Sequence, residues 1–270
     1  MAVTPFQRTL CRLLAHDRRI RGESYVAGGV ALGAALDTAR LSRDLDLFHD
    51  TTEAVAASWD RDRQTMESSG YRVVPQRERP GFVQATVSLG DVSLLVEWVH
   101  DSAFRFFPLL EDDDLGLTLH PFDLATNKVL ALVGRVEVRD WVDVLACDRL
   151  LQPFGYFAWA ACGKDPGFSP QALLGHARRT THYAADEIAS LAFEGEPPDI
   201  VALGAQWRRA LENAAGIVAA LPVEHIGTVV MTAAGALARL EPMRLREAAA
   251  RGDLRFHAGR VSGAWPTVRT

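Results

Sequence analysis

Cysteine is scarce in this 270-residue chain, which has three: Cys11, Cys147 and Cys162. An odd number without CxxC spacing excludes a disulfide framework and a cysteine-built zinc site, so reduced, mostly buried thiols are expected. Long apolar runs are also absent. No stretch approaches the length of a bilayer-crossing helix, and the N-terminal MAVTPFQRTLCRLL has neither a long apolar core nor a cleavage-site pattern. A cytoplasmic location and no membrane partner are therefore expected. Excess positive charge is missing as well. The formal net charge is −5, so any basic surface that meets nucleic acid must be local. One arginine-rich stretch holds Arg239, Arg244, Arg246, Arg251, Arg255, Arg260 and Arg269 against Glu241, Glu247 and Asp253. Such a segment reads first as a solvated helix face and tail. Lysine is scarcer than cysteine: of 29 Lys and Arg residues only Lys128 and Lys164 are lysines. In a chain that otherwise uses arginine, a retained lysine marks a place where arginine would not serve.

What the chain does contain is an alternation of elements followed by a helical half. Residues 5–20 carry Phe6, Leu10, Leu13 and Leu14 at helical spacing. Ser24 to Ala27 reads as a short strand ending at Gly28-Gly29, Val30 to Thr38 as a helix, and Asp44 to His49 as a strand of period two. A helix over 51–69 and strands at Tyr71–Val74, Phe82–Leu89 and Val92–His100 follow, the last two joined by the turn Gly90-Asp91. Helices are predicted over 121–133, 137–151, 154–162, 170–191, 199–219 and 224–250, punctuated by prolines. The fold class is α+β: a mixed sheet with helices over 1–118, then an all-helical domain over 119–270, with their boundary in a loop at 101–120.

The chemistry concentrates in residues 24–48, SYVAGGVALGAALDTARLSRDLDLF. Glycines at Gly28 and Gly29 let the backbone approach a ligand closely, and the N–H groups opening the next helix form an anion site. Asp44 and Asp46 are two apart on a strand and so share a face, where two carboxylates can hold Mg2+ or Mn2+ bridging a triphosphate. Glu97, on the strand VSLLVEW, is the candidate third metal ligand, with Asp91 and Asp101 as weaker alternatives. Ser42 and Arg43 precede the acids and are candidate substrate contacts. Downstream, Lys128 and Arg135 lie two helical turns apart on one face, suited to triphosphate oxygens, and Asp140 and Asp143 share a face at spacing three. Asp140 either orients Lys128 or acts as base toward an acceptor hydroxyl.

These residues resemble the nucleotidyltransferase superfamily in GG-x-A-L followed by S-R-D-L-D-L-F. More narrowly they resemble AbiEii/AbiGii-type toxins of bacterial abortive-infection and toxin–antitoxin systems. Those add a helical K-x-x-A-x-x-x-R motif and then R/K-D-x-x-D, matched here by Lys128 to Arg135 and by Arg139-Asp140-Trp141-Val142-Asp143. The resemblance covers about residues 20–150. One departure is Gly28-Gly29 where many nucleotidyltransferases have Gly-Ser, which leaves phosphate contact to backbone N–H groups. The resemblance implies a metal-dependent nucleotidyltransferase with Mg2+ or Mn2+ as cofactor and NTP as substrate, bound between the two domains. Asp44, Asp46 and Glu97 would hold metal. Gly28, Gly29, Lys128 and Arg135 would hold phosphates. An NMP would pass to an acceptor hydroxyl on RNA, such as tRNA, or on a protein, with a separately encoded antitoxin as partner. Two alternatives remain open: a small-molecule, aminoglycoside-type nucleotidyltransferase, and a catalytically silent nucleotide-binding protein.

Two sequence features carry weaker expectations. The run Glu111-Asp112-Asp113-Asp114 reads as a solvated loop, because consecutive acids cannot face one point. His176, Arg178, Arg179 and His182 form a basic cluster on a predicted helix face that could meet acceptor phosphates.

Overall fold

The computed structural model describes residues 3–180 and 182–266; Arg269 of the arginine-rich stretch lies outside them. In chain order the first elements are α1 (Pro5–Arg21), β1 (Ser24–Val26), α2 (Gly28–Leu36), β2 (Arg40–Leu41), β3 (Asp44–His49), α3 (Thr52–Ser68), β4 (Arg72–Arg79), β5 (Phe82–Leu89) and β6 (Val92–His100). Then come β7 (Phe104–Arg105), β8 (Leu110–Asp112), β9 (Gly116–Thr118), α4 (Pro121–Arg135), α5 (Val138–Leu150), α6 (Phe154–Lys164), α7 (Pro170–Thr180) and α8 (Ala185–Ala189). The chain closes with β10 (Ala192–Phe193), α9 (Ile200–Ala220), β11 (Thr228–Thr232), α10 (Pro242–Arg251), β12 (Leu254–Ala258) and β13 (Arg260–Val261). These form two compact units: Met1–Ala103, Pro108–His120 and Ala192–Glu194 in the first, and Phe104–Phe107, Pro121–Leu191 and Gly195–Thr270 in the second.

The first unit is built on a seven-stranded mixed sheet of order β4-β5-β6-β3-β1-β9-β8. Strand β3 runs parallel to β6 and antiparallel to β1. Period-two alternation divides its side chains cleanly: Leu45, Leu47 and His49 are buried, while Asp44, Asp46 and Phe48 are half-buried. The buried face, continued by Val96 and Trp98 of β6, is covered by α1 and α3. Trp59 of α3 meets Trp98 edge-on at 4.8 Å, and the Trp98 indole N–H donates to Asp62 at 2.8 Å. Helix α1 starts where Thr4 and Gln7 exchange capping-box hydrogen bonds ahead of Pro5, and it stops at Gly22 in the left-handed conformation. Leu10 and Leu14, both fully buried, contribute roughly 1.5–3 kcal/mol each through lost apolar exposure.

The second unit is predominantly helical and surrounds α6, whose residues Phe154 to Cys162 are all buried. Gly155 lets α9 come close, because a Cβ there would sit 2.8 Å from both Ala214 Cα and Ile217 Cβ. Buried Asp123 accepts from the backbone N–H groups of Phe106 and Phe107 at 2.9 and 3.0 Å, and Lys164 pairs with it at 2.8 Å.

Several expectations need correction. The segment 224–250 is not one helix: it holds β11 and then α10, and β11 pairs antiparallel with β12. Its sequence TVVMT is rich in β-branched residues, and Gly227 and Gly235 turn the chain at φ of 84°. The predicted helix 170–191 divides into α7 and α8. Strand β4 runs past Val74 to Arg79 with a bulge between Pro75 and Arg77, which an edge strand tolerates. The supposed loop at 101–120 contains β7, β8 and β9. Its tight turn is made by Asp112, whose carboxylate accepts from the N–H groups of Asp114 and Leu115. Residues 192–194 belong to the first unit because β10 pairs with β2.

Candidate functional site

The site in the first unit begins where β1 runs into α2. Ala27 donates its N–H to the Asp46 carbonyl at 3.0 Å, which fixes the end of β1 against β3. Gly28 then turns at φ +63°, and a Cβ on it would collide with the Asp46 carboxylate. A Cβ on Gly29 would collide with the Ser42 hydroxyl and the Arg40 guanidinium. Both glycines are therefore required by close approach, and Gly28 also by its left-handed backbone. Helix α2 opens here, two residues earlier than expected, and Ala27 supplies no side-chain cap. Its first turn carries N–H groups without intrahelical partners and begins at Gly28, against the Asp46 carboxylate. The structure also accounts for Gly-Gly in place of Gly-Ser: the Ser42 hydroxyl stands where a side chain at position 29 would begin.

The acids come from neighbouring strands. Register aligns Asp46 with Glu97 and Asp44 with Leu95 across the parallel pair β3–β6, so Asp44, Asp46 and Glu97 share the half-open face of the sheet. Ser42 donates its hydroxyl to Asp44 at 2.7 Å, while its carbonyl accepts from Gln7 of α1 at 2.8 Å. Gln84, in register on β5, donates to Glu97 at 2.5 Å. The sequence expectation was a three-carboxylate metal group. In the structure the three acids share a face, but among the described residues no three His, Cys, Asp or Glu side chains converge closely enough to hold an ion. Asp44 instead accepts from Ser42, and Glu97 accepts from Gln84. Asp91 and Asp101 lie at opposite ends of β6, roughly 20 and 13 Å along the strand from Glu97 at about 3.3 Å per residue, and do not join the cluster.

Arg43 is exposed beside the acids. Sequence reading missed Arg40 and Gln84. The alternation that placed Asp44 and Asp46 on one face could have been extended back to Ser42 and Arg40. Gln84 becomes visible only once β5 is registered against β6.

The second group lies in the other unit. Lys128 on α4 is buried between two carboxylates of α5, at 3.0 Å from Asp140 and 2.8 Å from Asp143. Arg135 closes the end of α4 on Asp140 with a two-pronged contact of 2.6 and 2.9 Å, and its own side chain is 44% exposed. Burial pushes the Asp140 carboxyl upward, but the hydrogen bond from Arg135 and the charges of Lys128 and Arg135 outweigh it and hold the group below its ordinary value. The structure thus brings Lys128, Arg135, Asp140 and Asp143 into one ion-pair cluster, sets Gly28 and Gly29 against Asp46 and Ser42, and places Asp44, Asp46 and Glu97 on one face of the sheet.

The remaining acidic and basic runs resolve simply. Asp114 of the Glu111–Asp114 run pairs with Arg8 and Arg12 of α1. Arg178 and Arg179 are exposed at the end of α7. Among the C-terminal arginines, Arg239 donates to the carbonyls of Arg149, Leu150 and Leu151 and so closes the end of α5. All three cysteines are free and buried, and no helix among the described residues is long and apolar enough to cross a membrane.

The sequence matches no family model and none of the curated proteins compared with it. Solved structures do resemble it. One is a Helicobacter pylori protein named provisionally as a nucleotidyltransferase, with TM-score 0.52 and 13% identity over 76% of this chain and 92% of that one. Another is JHP933 of the same organism, with TM-score 0.52 and 13% identity over 76% of this chain and 89% of that one. At this identity the likeness establishes the fold, an α+β nucleotidyltransferase fold followed by a helical region.

Proposed function

We propose that this chain is a metal-dependent nucleotidyltransferase that moves a nucleoside monophosphate from a nucleoside triphosphate to a hydroxyl of RNA. The observation that carries this reading is the meeting of the α2 N-terminus with Asp46, next to Glu97 in register on β6. A helix N-terminus attracts phosphate, and carboxylates beside it can hold the divalent cation that accompanies a triphosphate. The donor set is all carboxylate oxygen, which suits Mg2+ or Mn2+. Asp44 and Asp46 would hold the metal together with the triphosphate's own oxygens, Glu97 would help once released from Gln84, and the metal would supply charge neutralisation of the triphosphate when bound.

The chain's own residues position the reactants. The N–H groups of Gly28 and Gly29 hold phosphate oxygens, while the Ser42 hydroxyl, which donates to Asp44, keeps that carboxylate oriented. Without metal, Gln84 holds Glu97. In the second unit Arg135 carries a partly exposed guanidinium of the kind that binds phosphate oxygens, and Lys128 is the internal anchor of its cluster. The acceptor oxygen forms a bond to the α-phosphorus, the bond to the β-phosphate bridging oxygen breaks, and pyrophosphate leaves in line. The acceptor proton passes to a carboxylate of the site. The motif resemblance supports a biological role as the toxin of a two-gene toxin–antitoxin or phage-defence pair, held in check by a separately encoded antitoxin.

The test uses purified protein with Mg2+ or Mn2+, each α-32P-labelled NTP and total bacterial RNA, with Asp44→Ala/Asp46→Ala as control. Label entering RNA with wild type alone is the expected result, and it identifies the base. Label in a protein band or a small molecule would replace the RNA acceptor. Silence with every acceptor would overturn transfer in favour of nucleotide binding alone.

A further inference from the structure

The helical unit contains a hollow of about 530 Å3 that neither carboxylate cluster uses. Its floor is aromatic. Trp141 and Trp207 are 3% and 4% exposed, their rings 6.4 Å apart and edge-on, and half-buried Tyr183 stands 5.2 Å from Trp141. Two polar groups here are buried without partners among the described residues: the Trp141 indole N–H and the Tyr183 hydroxyl. Buried donors without partners are uncommon and call for an explanation. The rim carries Arg178 and His182 from one side and Arg208 of α9 from another; Glu212 also lines it, and the charges of Asp140, Glu187 and Glu137 reach Tyr183. A volume of a few hundred cubic ångströms, an apolar floor and a few convergent polar groups are the ordinary marks of a ligand site. The ligand must be flat, aromatic at one end and anionic at the other.

We propose that this hollow binds one nucleotide unit of single-stranded RNA, its base against Trp141, Trp207 and Tyr183 and its phosphate between Arg178 and Arg208. Aromatic side chains accept any base face, and guanidinium groups track the backbone, the combination that single-strand binders use. Glu212 accepts a hydrogen bond from an exocyclic amine of the base. The chain's net charge of −5 makes these local arginines the more necessary. As the anchoring point of an RNA acceptor the site rests on the transfer reaction proposed above; as a binding site it stands without it.

Gly204 offers a clean way to close the hollow. It lies on α9 and lines the cavity, and a Cβ there would meet only the far end of Arg208, at 3.7 Å. Gly204→Leu therefore fills space from a helix position where leucine is the better helix former, so lost binding cannot be put down to lost folding. Binding is read by fluorescence anisotropy of fluorescein-labelled decamers of adenylate and cytidylate, in EDTA and without NTP. Wild type is expected to bind. Gly204→Leu should weaken binding at least tenfold with an unchanged or higher Tm, and Arg178→Ala/Arg208→Ala should lower the slope of log Kd against log salt by about 0.7, the value for one phosphate of a single strand. AMP should compete only at more than a hundredfold higher concentration. Equal potency of AMP and the decamer would overturn the strand assignment in favour of a free nucleotide, and wild-type affinity in Gly204→Leu would overturn the site. The labelling assay on the same variants separates the two proposals. Label in RNA with undiminished decamer binding by Gly204→Leu sinks the hollow and leaves the reaction. Decamer binding lost in Gly204→Leu without any transfer by wild type sinks the reaction and leaves the hollow.

Discussion

Gly28 combines two constraints that are usually separate. Its backbone is left-handed, and the Asp46 carboxylate occupies the space a side chain would need. Gly28→Ala should therefore cost about 1–2 kcal/mol of stability from the backbone alone, and it should cost more in NTP affinity because Asp46 must move. Isothermal titration beside a thermal melt separates the two, and an affinity loss no larger than the stability loss would argue against a close carboxylate–phosphate site. His49 lies on the buried face of the same strand. Burial pushes its imidazole down to about 4, and the Arg18 charge adds to this. The folded chain therefore refuses a proton that the unfolded chain accepts near pH 6.5. Stability is full above that pH and falls as pH drops toward 4, by about 3 kcal/mol in all at 1.36 kcal/mol per pH unit. Urea midpoints of His49→Leu should be flatter than wild type across this window.

At the level of elements, the scarcity of lysine finds its explanation. Lys128 ties α5 to α4 through Asp140 and Asp143, and Lys164 ties α6 to α4 through Asp123 and Asn127; both ammonium groups are nearly buried. A compact ammonium on a flexible stem fits between carboxylates where a planar guanidinium does not. Lys128→Met should destabilise by about 3–5 kcal/mol at neutral pH because two buried carboxylates lose the ammonium they share, although Arg135 stays on Asp140. The Asp140 carboxyl is held low in the fold, so its contribution is present above the ordinary carboxylate range and lost as pH falls through the folded value. The penalty of Lys128→Met should accordingly shrink in acid, which chemical denaturation at pH 7 and pH 3 would check. The elements themselves were unevenly legible. Strands β3, β5 and β6 fall within the predicted limits because each alternates over six or more residues. Strands β9 and β11 were missed because they run for three to five residues and pair with β1 and β12, and β8 because it is only the three-residue hairpin partner of β9.

At the level of the whole molecule, function and stability pull apart in the first unit. Groups of a functional site are commonly kept at a cost in stability, so Asp46→Asn in EDTA should leave Tm unchanged or raise it, by about 2–4 °C per kcal/mol gained. The same change should cut nucleotide transfer by more than about a hundredfold; a lowered Tm with transfer intact would mean the acids are structural. The sequence by itself determined the α+β class, the strand carrying Asp44 and Asp46, and the helix motif from Lys128 to Asp143, because period two and period 3.6 are local properties of the chain. It also marked both glycines. Tertiary structure alone decided that Glu97 stands beside Asp46, that Gln84 holds it, that the Ser42 hydroxyl fills the space beside Gly29, and that Trp141, Trp207 and Tyr183 floor one hollow. Each of these depends on strand order, register or helix packing, which arise when distant segments bury their apolar faces together, and no local pattern encodes that choice.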